Sequence, residues 1–337
     1  MRMSRREFLK LATVVGTGAA VNLSLLERAL AGNGDPRVIW LQGQSCSGCS
    51  VSLLNSVNMM TVDELLVNKI NLEYHSTLIA AAGDLAFSQA KAAHPSPTEL
   101  SAFGCEWQQA GTDLDFDLDG NGVVDFIDFA RLAAQGYVLV VEGSIPTGSE
   151  GRFCHVGGDM TMIEAFDRFS DKATHILAIG SCAAYGGIPG AEPNPTDALS
   201  AQQALDYLGR YRPLVNIPGC PAHPDWFVGA LSFLLANRSL PALDSYNRPA
   251  AYFAATVHTN CPLRGKKVPS ADSLGQYGCL EELGCRGKQT SADCPQRKWN
   301  SSGPGQSGVN WCIGARNPCH GCTEPGFPDS MTPFYTL

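Results

Sequence analysis

Seven of the thirteen cysteines in this 337-residue chain fall between Cys261 and the C-terminus. An odd total rules out a complete set of intrachain disulfides. Cys261, Cys279, Cys285, Cys294, Cys312, Cys319 and Cys322 crowd a Gly/Pro/Ser-rich tail, at a density where cross-links or metals take over from a hydrophobic core. The other six (Cys46, Cys49, Cys105, Cys154, Cys182 and Cys220) are spread through a longer stretch of ordinary globular composition. The chain as a whole is 44% hydrophobic, enough for a real core, and its net charge of −8 argues against nucleic acid or an anionic membrane surface as partner.

The first 31 residues read as an address. Ser4-Arg5-Arg6-Glu7-Phe8-Leu9-Lys10 precedes a mildly apolar stretch, Leu11 to Leu26, and then Ala29-Leu30-Ala31, an A-x-A cleavage pattern. The segment resembles a twin-arginine export signal, which predicts a mature chain starting near Gly32 in the periplasm, exported already folded. Thr13, Thr17, Asn22 and Ser24 interrupt the apolar stretch, which falls short of the ~18 residues a membrane span needs. No other run is long enough, so no transmembrane anchor is expected.

The pattern then becomes strand, turn, helix, repeated. Strands are expected at Arg37–Gly43, Leu72–His75, Gly136–Gly143, His175–Gly180 and Leu214–Ile217, and helices at Cys46–Asn55, Met160–Phe169 and Ala198–Leu208. That alternation predicts an α/β fold with a doubly wound parallel sheet, whose ligands bind at the carboxyl ends of the strands. Three of those ends carry cysteine: Cys46 and Cys49, Cys182 in a Gly-rich turn, and Cys220 in Pro218-Gly219-Cys220-Pro221. Four thiolates on one sheet edge can hold a [4Fe–4S] cluster; a structural zinc or a set of buried thiols is the competing reading.

Beyond about Ala236 periodicity is lost. His258-x-x-Cys261, Cys279-x5-Cys285, Cys294, Cys312 and Cys319-x-x-Cys322 supply eight ligands, enough for two tetrahedral sites. In chain order they divide as His258, Cys261, Cys279, Cys285 and Cys294, Cys312, Cys319, Cys322. Ligand type alone leaves zinc and iron–sulfur both open.

The ordered motifs Cys46-Ser47-Gly48-Cys49, Glu142-Gly143-Ser144-Ile145-Pro146, Gly180-Ser181-Cys182-Ala183-Ala184-Tyr185-Gly186-Gly187, Pro218-Gly219-Cys220-Pro221, the His258/Cys261 pair, Leu283-Gly284-Cys285-Arg286-Gly287 and Cys319-His320-Gly321-Cys322-x-Glu324-Pro325 resemble the small subunit of periplasmic nickel–iron hydrogenases over nearly the whole mature chain. The resemblance implies a flavodoxin-like domain (32–235) followed by a small, loop-rich iron–sulfur domain (236–337). It implies three [4Fe–4S] clusters: proximal on Cys46, Cys49, Cys182 and Cys220; distal on His258, Cys261, Cys279 and Cys285; medial on Cys294, Cys319 and Cys322, with Cys312 added here. The Ni–Fe centre would sit on a separate large subunit, leaving this chain no bond-cleaving residue. Its task would be electron relay to a periplasmic carrier such as a multihaem cytochrome c. Relatives of this kind mostly have three medial cysteines, with proline at the place of Cys312; the fourth cysteine, together with Cys154, resembles the nickel–iron–selenium branch. Gly48 and Gly187 stand where oxygen-tolerant relatives add cysteines, so a standard proximal cubane is expected.

The resemblance also implies that one segment, about 93–135, is an insertion where relatives have a short connection. Its Asp117-x-Asp119-x-Asn121-Gly122-x5-Asp128 follows the EF-hand loop pattern with Asp in the last place, resembling the calcium repeats of dockerin modules. Calcium ligands would be Asp117, Asp119, Asn121, the Val123 carbonyl, Asp125 and Asp128. Cys105 and Cys154 have no partner at metal-ligand spacing and read as buried or free thiols, and His75, His94, His155, His175, His223 and His320 receive no role. Two other classes fit parts of the pattern: a quinone-reductase-type cluster subunit, which shares the Pro-Gly-Cys-Pro turn, and an exported zinc- or disulfide-stapled binding module.

Overall fold

Runs of β-branched and apolar residues build five strands: β1 (Arg37–Gln42), β2 (Asn71–His75), β3 (Tyr137–Glu142), β4 (Ala173–Ile179) and β5 (Leu214–Ile217). In the computed structural model, which describes residues 36–78, 136–157, 160–265 and 268–336, they form one parallel sheet in the order β2-β1-β3-β4-β5. This is the flavodoxin-like order. The leader, Cys105 and the acidic Asp117–Asp128 loop lie outside the described residues.

A parallel sheet covered on both faces needs apolar residues at every position, and successive side chains here serve two cores. Val38, Trp40, Val138, Val140, Leu177, Ile179, Val215 and Ile217 join one cluster. Ile39, Leu41, Leu139, Val141, Ile176, Ala178 and Leu214 join the other. The helices are α1 (Gly48–Leu54), α2 (Val62–Asn68), α3 (Met162–Ser170), α4 (Gly180–Tyr185), α5 (Ala201–Tyr207) and α6 (Pro224–Asn237). Leu53 of α1 and Trp226, Phe227 and Leu231 of α6 enter the first core. Met162, Phe166 and Phe169 of α3 and Ala201, Ala204 and Leu205 of α5 enter the second.

Helix boundaries differ from the sequence expectation for local reasons. Thr161 and Ser200 each close a capping box, with Glu164 and Gln203 respectively, and so start α3 and α5 later than the apolar pattern suggests. Ala198–Leu199 consequently pairs as a short strand with Ile145–Pro146. The Gly-rich turn expected at Ser181-Cys182 is a short helix, α4. The sequence reading leaves Pro224–Asn237 without an element, because α6 is buried on most sides, and a helix without a polar face has no amphipathic period to detect.

The C-terminal stretch is held mainly by turns, with two short helices, α7 (Ala250–Phe253) and α8 (Cys294–Arg297), and a hairpin of Trp299–Ser301 with Gly308–Asn310. Its apolar residues, among them Phe253, Val257, Leu280, Leu283, Trp311 and Ile313, continue the first core. Buried polar bonds pin it further. Trp226 Nε1 donates to Asp293 Oδ1 at 2.8 Å, and Arg297 bridges Asp293 at 2.6 Å and Asp225 at 3.1 Å. Arg248, 2% exposed, donates to Asp244, to the Thr323 carbonyl and to Glu324. Asp293 precedes Cys294 and Thr323 follows Cys322, so both networks fix loops that carry cysteines.

Candidate metal centres

The first group of thiols lies where parallel strands end. Cys46 and Cys49 follow β1, Cys182 follows β4 within α4, and Cys220 follows β5. Cys49 lies within electrostatic reach of Cys182 and Cys220, and Cys46 of Cys182 and Cys220, so all four face a common space. Gly180 has φ +82°, and a Cβ there would sit 2.5 Å from the Cys49 sulfur. Gly187, at φ +55°, would place one 2.9 Å from the Cys182 sulfur. Side chains are therefore excluded where the backbone closes around the sulfurs.

Beneath this group sits a polar network with Glu142 at its centre, 1% exposed at the end of β3. The amides of Cys49 and Ser50 donate to Glu142 Oε1 at 3.0 and 3.2 Å. Trp40 Nε1, Gln42 Nε2 and the Ser50 hydroxyl donate to Oε2 at 3.0, 2.9 and 2.5 Å. Ser50 also meets Nε2 of His75 at 3.2 Å, while His75 Nδ1 accepts the Thr77 amide at 3.2 Å. Burial holds His75 down at about 4, so its ring is neutral at pH 7 and Nε2 carries the proton. Sequence reasoning gave Glu142 and His75 no role. The available signal for Glu142 was an acid ending an otherwise apolar central strand.

The second group gathers Cys294, Cys312, Cys319 and Cys322: Cys294 lies within electrostatic reach of the other three. The third gathers His258, Cys261, Cys279 and Cys285 around one open pocket with about 350 Å³ of empty space, which Arg264 and Lys288 also line. Within each of these groups the side chains share one neighbourhood, and Cys285 also lies within reach of Cys312 and Cys319. Cys154 stands apart, packed against the second core, its thiol raised to about 11 by burial.

The groups are contiguous. The amide of Cys220, in the first, faces the sulfur of Cys322, in the second. The amide of Cys319, in the second, donates to the sulfur of Cys285, in the third, at 3.4 Å.

Their chemistry suits an iron–sulfur cluster better than a single ion. Zinc, with Zn–S bonds of about 2.3 Å, draws its four sulfurs to about 3.8 Å apart. Among the described residues no three His, Cys, Asp or Glu side chains converge as a single-ion site. The twelve described cysteines are all free of disulfides. Burial pushes Cys49 and Cys294 far above the ordinary thiol range and lifts Cys182 to about 11 and Cys319 to about 12, with neighbouring thiols adding to each shift. Such thiols ionise together only against bound cationic charge. Backbone amides already point at several of the sulfurs: Ala222 at Cys49, Ile188 at Cys182, Leu263 at Cys261 and Gly321 at Cys319. N–H···S bonds of this kind tune cluster potentials.

Comparison with known proteins adds two family matches. Residues 46–234 match the family described as NADH ubiquinone oxidoreductase, 20 Kd subunit. Residues 253–335 match the family of the C-terminal region of NiFe/NiFeSe hydrogenase small subunits. The periplasmic [NiFeSe] hydrogenase small subunit of Desulfomicrobium baculatum is 37% identical, over 99% of both chains. The periplasmic [NiFe] hydrogenase small subunit 1 of Nitratidesulfovibrio vulgaris is 34% identical over 99% of this chain and 93% of its own. The crystal structure of a reduced, active form of the Ni-Fe-Se hydrogenase from Desulfomicrobium baculatum superposes with a TM-score of 0.71 at 36% identity, covering 90% of this chain and 99% of that one.

Proposed function

This chain belongs to the small subunits of [NiFe] and [NiFeSe] hydrogenases, and from that membership we propose that its three cysteine groups hold three [4Fe–4S] clusters in series. As a hydrogenase small subunit it is the electron-transfer half of a heterodimeric oxidoreductase, carries iron–sulfur clusters, and pairs with a large subunit bearing the Ni–Fe centre. Cys46, Cys49, Cys182 and Cys220 would bind the proximal cluster; Cys294, Cys312, Cys319 and Cys322 the medial; His258, Cys261, Cys279 and Cys285 the distal. Bound there, the clusters supply one-electron redox chemistry and the chain supplies their spacing, insulation and potentials.

The observation that carries this reading is the unbroken contact from group to group, Cys220 to Cys322 and Cys319 to Cys285. Cys46 and Cys220 are exposed, and so are Val51 and Leu54 of α1, the helix that contains Cys49, and Ile188, whose backbone faces Cys182, at 55%, 43% and 58%. Exposed apolar side chains on elements that carry the proximal thiols suit cover by the large subunit. At the other end the His258 pocket opens to the surface, where a periplasmic carrier such as a multihaem cytochrome c would exchange electrons. A neutral imidazole in place of a thiolate should raise the distal potential. Cys312 favours the nickel–iron–selenium branch. The leader would export the folded chain to the periplasm by the twin-arginine route, and the 117–128 loop would bind calcium at Asp117, Asp119, Asn121, Val123, Asp125 and Asp128.

Iron analysis and electron paramagnetic resonance of the purified heterodimer test the assignment. The expected result is about twelve irons per small subunit, three clusters of four. Zinc in place of iron, or about eight irons, would reject it.

A further inference from the structure

Ser181 is 2% exposed and stands between two loops that belong to different thiol groups. Its hydroxyl accepts the Gly219 amide at 2.9 Å and donates to the Cys322 carbonyl. Its own amide donates to the Gly219 carbonyl at 3.0 Å. One hydroxyl thus uses its single proton and a lone pair to tie the turn carrying Cys220 to the loop carrying Cys322. Immediately beside this tie the Cys220 amide faces the Cys322 sulfur. The next junction repeats the geometry with a backbone tie in place of a hydroxyl: the Cys319 amide donates to the Cys285 sulfur at 3.4 Å, and the Arg286 amide donates to the Cys319 carbonyl at 2.7 Å.

We infer that Ser181 is a positioning residue for electron transfer, its hydroxyl clamping the Cys220 turn to the Cys322 loop so that the amide of a proximal ligand is kept facing the sulfur of a medial one. The inference rests on the assignment of Cys220 and Cys322 to separate clusters. An N–H donor withdraws charge from a thiolate and raises the potential of the site it ligates. The clamp therefore fixes two quantities at once: the closeness of the two sites and the medial potential.

The test compares Ser181→Ala with Ser181→Thr, which keeps the hydroxyl, in the complete heterodimer. Iron content, the medial midpoint potential and the spin–spin coupling between reduced proximal and medial clusters are read by iron analysis and electron paramagnetic resonance. Ser181→Ala with full iron should show a lower medial potential, weaker coupling and intramolecular electron transfer slowed by about tenfold; Ser181→Thr should match the parent. Full iron with parental potential and coupling in Ser181→Ala overturns the inference. Should Ser181→Ala lose medial iron, Ser181→Thr decides: parental potential and coupling support the clamp, and the same loss of iron overturns it. Absence of separate proximal and medial signals in the unmodified complex would reject the cluster assignment instead, which distinguishes the two failures.

Discussion

Cys312 is the residue on which the proposed medial site turns. A four-iron cluster needs one ligand for each iron, and with three thiolates one corner is uncapped and a three-iron form becomes the stable one. Cys312 is exposed, yet it lies within reach of Cys294, Cys319 and Cys322. Cys312→Pro should therefore create a [3Fe–4S] resonance in the oxidised complex and raise the medial potential, while a stoichiometric three-iron signal already present in the undamaged parent would remove Cys312 from the ligand set. His75 makes a different kind of contribution. It is completely buried, and burial lowers its pKa from 6.5 to about 4. The unfolded chain takes up a proton near pH 6.5 and the folded one only near 4. The stability tied to a neutral ring is thus complete above pH 6.5 and declines by about 3 kcal/mol as the pH falls to 4. Melting curves at pH 7 and 4.5 should show the parent losing several degrees more than His75→Gln. Equal losses would show that the ring does not carry this pH dependence.

Among the elements, the strands were readable because each is a nearly continuous apolar run, and the first thiol group because its cysteines sit just beyond three of those runs. The capping boxes were present in the sequence, Thr161 with Glu164 and Ser200 with Gln203, but apolar periodicity alone placed both helix starts too early. What the linear pattern could not carry is closeness across the chain. Glu142 takes amide protons from residues more than ninety positions earlier, and Ser181 meets a carbonyl 141 positions later. Neither has a sequence neighbour that marks its partner. The acidic Asp117–Asp128 segment has the opposite character, since its spacing is local in the sequence. Asp117→Ala combined with Asp128→Ala should abolish calcium binding in calorimetric titration and leave iron content and turnover near parental values, because the cluster-bearing loops lie outside the insertion. Loss of iron in the double variant would show that the loop supports the cluster framework, and a parent that takes up no calcium would reject the site.

At the scale of the whole molecule, the chain is organised to conduct and to be covered. Each of the three ligand groups is filled by residues that the proposed clusters consume, which leaves no cysteine set for a nickel centre among the described residues. The purified chain without its partner should therefore show no dye reduction under H2; measurable reduction by a preparation free of large subunit would overturn that division of labour. The joined groups also bear on how iron is distributed among molecules. The turn that offers Cys220 is tied through Ser181 to the loop that offers Cys322, and the Cys319 amide donates to the Cys285 sulfur, so each ligand set is shaped partly by its neighbour's backbone. Emptying the middle set would slacken a ligand on either side. Metal occupancy across a population should then be cooperative, and native mass spectra taken during chelation should show fully loaded and stripped molecules with few partly filled ones between them, whereas a ladder of one-cluster and two-cluster masses would mean that each site fills and empties alone.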